Sequence, residues 1–83
     1  MKTYYFITKR DQQDDVILYN KMHLLSNGNV IDMFTGNIQN ASIYNNLQDA
    51  SDKMQYLADR DFMNGIYHFD YDIVDQNGKE IYF

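Results

Sequence analysis

Cysteine and proline are both absent from the chain, and glutamate occurs once. Without cysteine there can be no disulfide, no thiolate metal ligand and no thiol nucleophile, and the absence fits a reducing cytoplasm. Without proline, every loop has to be shaped by Gly, Asn, Asp and Ser. No apolar run exceeds four residues, as in Tyr4-Tyr5-Phe6-Ile7, which is far short of a membrane span. No signal-peptide core follows Met1-Lys2-Thr3. The expectation is a soluble protein that stays in the cytoplasm of a bacterial host. Walker, G-x-S-x-G and H-x-x-x-H patterns are missing as well, so no catalytic residue, metal ligand set or cofactor is expected.

What is present is acid and aromatic surface. Twelve acidic residues, eleven of them Asp, stand against seven basic ones, for a net charge of −5. Asp is a poor helix former that suits caps and turns, and a field of this sign repels a phosphate backbone while favouring basic partners. Eight Tyr and five Phe supply apolar area to a chain of 83 residues, which is short for a core without staples.

Residues 45–83 organise the rest. Leu47, Ala50, Met54, Leu57 and Ala58 recur at helical spacing, and Tyr67, Phe69, Tyr71 and Ile73 at strand spacing. Asn46 is the expected N-cap of a helix over about 47–60, with Asp49 at its third position, and Asn64-Gly65 ends the segment. A three-residue loop with a Gly bulge at Gly78 sets Asp75 against Lys79, Ile73 against Ile81 and Tyr71 against Phe83. A two-residue loop would oppose Asp75 and Glu80. Upstream, Tyr4-Tyr5-Phe6-Ile7 reads as a central strand covered on both faces, and 9–15 as a solvated connection. Segments 16–25 and 30–34 flank Ser26-Asn27-Gly28-Asn29, a hairpin signal. A short loop there pairs Leu25 with Val30, Leu24 with Ile31, His23 with Asp32 and Met22 with Met33; a register one residue longer would set Met22 against Asp32. Ile43-Tyr44 is a brief edge strand or a lead-in. The expected architecture is one α+β domain over 1–83, with an antiparallel sheet of about five strands and one helix on one face.

Several residues are candidates for function, each beside a plainer alternative. Asp70 and Asp72 point outward together, at a spacing of about 6–7 Å that resembles successive phosphates of a nucleic-acid strand, or they are ordinary residues of a wet sheet face. With Asp75 and the helical Asp52 and Asp59 they would form a negative patch, with Tyr56, Tyr67 and Tyr71 as anchors. His23 beside Asp32 is a metal or general-base pair with His68 as a further ligand, or a cross-strand pair that simply satisfies itself. Lys21 opposite Phe34 suggests a surface cation–π contact. Tyr19, Leu25, Val30 and Phe34 share one face of the first hairpin, which is either a dimer seam or covered by loops.

The segment 40–50 (NASIYNNLQDA), the helix after it and Tyr71-Asp72-Ile73-Val74 resemble small acidic phage-encoded inhibitor proteins of the anti-CRISPR kind. The shared features are an N-terminal aromatic strand, a Gly-turn hairpin, a helix with a polar cap and a closing hairpin. The resemblance implies a phage or mobile-element inhibitor that occludes the basic nucleic-acid-binding surface of a host or defence enzyme. It assigns no residue. The alternative is a structural or regulatory homodimer without such mimicry.

Overall fold

The computed structural model describes residues 2–82. Its elements are β1 (Tyr5–Asp11), β2 (Ile17–Leu24), β3 (Val30–Thr35), a 3-10 turn (Ile38–Asn40), α1 (Leu47–Met63) and β4 (Phe69–Asp75). The strands form one antiparallel sheet in the order β3-β2-β1-β4, and α1 packs over β1 and β4. The architecture is α+β in two layers, with four strands where the sequence suggested about five.

The missing strand has a local explanation. After β4 the chain turns in the expected register: the Asp75 N–H donates to Lys79 O (2.9 Å) and the Ile81 N–H to Ile73 O (2.8 Å). Among the described residues, however, only Val74 and Glu80 make a β-bridge there, so 79–82 caps the sheet edge without becoming a strand. The predicted partner of Tyr71, Phe83, lies outside the described residues.

The first hairpin takes the longer register, correcting the short-loop expectation. Leu24 faces Val30, His23 faces Ile31, Met22 faces Asp32 and Asn20 faces Phe34. The Leu25 N–H donates to Asn29 O (2.7 Å) and the Gly28 N–H to Leu25 O (3.0 Å), with Gly28 at φ 88°. This is a three-residue loop with a Gly bulge, the same solution as at Gly78, whose φ is 80°. A shift of one residue turns every side chain of β3 to the opposite face. Asp32 and Phe34 thereby come to the helix side, where each finds partners.

Two further boundaries move. Lys9 to Asp11 belong to β1, each paired with a residue of β4, because Lys9 is taken up between the Phe34 and Phe69 rings and Arg10 by Asp70. The segment Ser42 to Tyr44 is not an edge. Tyr44 pairs with Tyr5, while Ser42 accepts the Met22 N–H on its Oγ (2.7 Å) and donates its own N–H to Asn20 O (3.0 Å). It fills the gap where β1 and β2 diverge.

The helix begins where its cap predicts. Asn46 Oδ1 accepts the Asp49 N–H (2.8 Å), and Asn46 Nδ2 donates to Asp49 Oδ2 (3.0 Å). It ends three residues later than expected, at Met63, in a Schellman turn. Gly65 sits at φ 74°, its N–H donates to Phe62 O (3.1 Å), and the Ile66 N–H donates to Asp61 O (2.8 Å). Ala50 and Leu57 are fully buried against Ile7, Ile73 and Tyr44, with Leu47, Met54, Phe34 and Tyr71 around them.

Candidate functional site

The strand registers divide the sheet into two faces. Tyr5, Ile7, Lys9, Tyr71, Ile73, Asn20, Asp32 and Phe34 point toward α1; Phe6, Thr8, Arg10, Asp70, Asp72, Ile17 and Tyr19 point away from it.

On the helix side, polar groups are tied into closed networks. The Tyr44 hydroxyl donates to Asn20 Oδ1 (2.6 Å), Asn20 Nδ2 donates to Asp32 Oδ1 (3.2 Å), and Lys53 Nζ donates to Asp32 Oδ2 (3.2 Å). Asn20 has no exposed surface, so each of these bonds replaces one that water can no longer supply. The Tyr71 hydroxyl donates to Asp61 Oδ2 (2.5 Å). Burial, foremost, raises the pKa of both Tyr44 and Tyr71, with neighbouring carboxylates adding to the effect. The Lys9 ammonium lies between the rings of Phe34 (4.4 Å) and Phe69 (3.9 Å), and burial there lowers its pKa. Among the described residues no buried side-chain nitrogen or oxygen lacks a partner.

The far face is different. A groove of about 550 Å3 opens there between β2 and the turn after β4, lined by Arg10, Asp15, Ile17, Tyr19, Asp72 and Glu80 among others. Arg10 pairs with Asp70 (3.0 Å) and lies 3.6 Å from Asp15. Hydrogen bonds from Gln12 and Arg10 hold the Asp70 carboxyl below the usual range. Asp72 has no such support. Partial burial raises its pKa, and repulsion from Glu80 and Asp70 raises it further. Glu80 accepts a hydrogen bond from the Tyr82 hydroxyl.

The residues singled out from the sequence are thus distributed over both surfaces. Asp70 and Asp72 do share one outward face. Asp52 and Asp59 are exposed on the side of α1 opposite its core stripe, accepting bonds from Gln48 and Gln55. They lie on the other outer surface of the molecule. Asp75 is spent in its turn, its Oδ1 accepting from the Asn77 and Lys79 N–H groups. Tyr71 is committed to the core, while Tyr56 and Tyr67 remain exposed, Tyr67 edge-on to Phe62 at 5.8 Å.

The register shift also separates the other pairs. His23 faces Ile31 on the far face while Asp32 is on the helix side, and the His68 ring lies tilted against that of Phe69. Among the described residues no group of His and carboxylates is placed to hold a metal ion. Tyr19 and Leu25 fall on one face of the hairpin and Val30 and Phe34 on the other, so the four do not form a seam. Phe34 meets Lys9 and Tyr71 rather than Lys21, which faces Met33.

Arg10, Glu80 and Asp15 were not among the predicted site residues. The Arg10–Asp70 pair depends on the β1–β4 pairing across 60 residues. No local spacing announces it.

These features define a class: a two-layer α+β protein with a helix-covered sheet face and an acidic groove on the reverse. Comparisons with protein-family models, with curated proteins and with solved structures return no match. No helix among the described residues is long and apolar enough to cross a membrane.

Proposed function

We propose that the protein is a small acidic binding module that docks the far face of its sheet onto a basic surface of another protein. Such surfaces are presented by enzymes that hold nucleic-acid phosphates, and occupying one would inhibit the enzyme, as a phage or mobile-element inhibitor does. The observation that carries the reading is the state of Asp72. It is partly withdrawn from water in a groove, beside Glu80 and Asp70, while Arg10 is engaged by Asp70. A Lys or Arg side chain entering the groove would relieve that repulsion, and the exposed edges of Ile17 and Tyr19 offer it apolar contact.

Asp52 and Asp59 face away from this groove and take no part in the docking. The test is competition: a panel of nucleic-acid enzymes, guide-loaded CRISPR nucleases included, is titrated with the protein and displacement of labelled DNA is followed by anisotropy. Asp72→Asn/Glu80→Gln should weaken inhibition by about tenfold or more and flatten its salt dependence, while Asp52→Asn/Asp59→Asn should not. Inhibition unchanged by the groove variant would discard the proposal.

A further inference from the structure

We infer that β3 is a self-association edge, through which two copies of the chain pair antiparallel into one continuous sheet. β3 ends the sheet and is bonded only to β2. The opposite edge, β4, is partly closed by the Lys79 and Ile81 backbone; among the described residues nothing equivalent lies along β3. Because Leu25 and Asn29 form a bonded pair, alternation along the ladder turns the N–H and C=O groups of Val30, Asp32 and Phe34 outward. Proteins commonly blunt such an edge with Lys, Pro, a bulge or an unanswered inward-pointing charge. Val30–Thr35 contains no Lys or Pro, pairs with β2 without interruption, and exposes Val30, Ile31 and Met33 by 55%, 40% and 47%. Its one charge, Asp32, points inward but is already paired with Lys53 and bonded to Asn20, with 6% of its side chain accessible, so edge pairing would bury no unanswered charge.

A second copy suits this edge. With Met33 on the two-fold axis, Met33 meets its own counterpart, Ile31 meets Thr35 of the second copy, and Asp32 meets Phe34. No like charges are opposed. Centring the axis on Asp32 instead would set two carboxylates directly across from each other, which disfavours that register. The two-fold stands perpendicular to the sheet, so both helices lie on one side and both acidic grooves on the other. With a net charge of −5 per chain, added salt should strengthen the pairing, the opposite of its effect on docking to a basic partner.

Because the chain has no cysteine, a single introduced thiol reports the edge cleanly. Sedimentation equilibrium of the native protein should show the mass rising toward twice 9.9 kDa across the micromolar range, more readily at high salt. Met33→Cys treated with diamide should give a disulfide dimer, as the close approach of a non-bonded pair allows, and Tyr82→Cys should not. Met33→Asp gains Lys21 as a cross-strand partner within its own chain but opposes two added carboxylates across the axis. It should weaken dimerisation by at least about tenfold with an unchanged circular dichroism spectrum. A native protein that remains at 9.9 kDa throughout that range, or a Met33→Cys variant that cross-links no better than Tyr82→Cys, overturns the proposal.

Discussion

The two faces of the sheet are built from the same strands and solve opposite problems. On the helix side, Asn20, Asp32, Tyr44, Lys53, Asp61 and Tyr71 are drawn away from water and answer one another. On the far face, Asp72 is also withdrawn in part, yet repulsion from Glu80 and Asp70 outweighs the attraction of Arg10, which is engaged by Asp70. Burial is costly only when it is unanswered. The helix side therefore reads as a stability device, and the far face as the side on which burial is left unanswered, which is why the proposed docking is placed there.

The sharpest way to break the helix side is to open its centre. Leu57, fully buried between α1 and the sheet, should lose about 3–4 kcal/mol as Leu57→Ala, read by urea denaturation. Lys53→Met should cost somewhat less, about 2–3 kcal/mol, because it strands the Asp32 carboxylate. Adding Asp32→Leu to Lys53→Met should restore part of that loss, and a double variant no more stable than Lys53→Met alone would mean that the ion pair is not what holds the site. Tyr71→Phe removes a single hydrogen bond and leaves Asp61 unanswered, at about 1–2 kcal/mol.

The far face should respond weakly and with mixed sign. Asp70 has a lowered pKa, so its contribution is present above the pKa it has in the unfolded chain and fades as the pH falls through its folded value. Asp72 has a raised one, so folding favours its protonated form and stability declines as the pH rises from its unfolded value through its folded one. Between about pH 3 and 5, the ordinary carboxylate range, Asp70→Asn should flatten the rise of stability with pH and Asp72→Asn should steepen it. At neutral pH, Asp72→Asn should leave stability unchanged or improve it by at most about 0.5 kcal/mol, since the group is only partly buried and solvent screens its repulsion from Glu80 and Asp70. A clear loss from Asp72→Asn would show that the carboxylate is answered after all.

Much of this frame could be read before any coordinates. The helix from its Asn46 cap, the exclusion of disulfides, the central aromatic strand and the register of the turn at Gly78 followed from local rules. Each depends on residues close together in the chain. The first hairpin shows where such rules stop. Its loop has the same Asn-Gly core as the second, but there the pairwise matching of apolar residues favoured the short register, and the structure takes the longer one. Pairing His23 with Asp32 looked sufficient in two dimensions. What decided the matter was Lys53, 21 residues further along, and the space for Phe34 beside Tyr71.

The site residues divide in the same way. That Asp70 and Asp72 share a face follows from the strand period alone. That Asp52 and Asp59 lie on the opposite surface follows from which side of the sheet the helix occupies. Composition and short-range spacing determined the kinds of element, their order and an excess of negative charge. Tertiary structure decided which carboxylates are answered and which stand unpaired, because that depends on partners brought together across as many as 60 residues, and a linear pattern does not contain those distances.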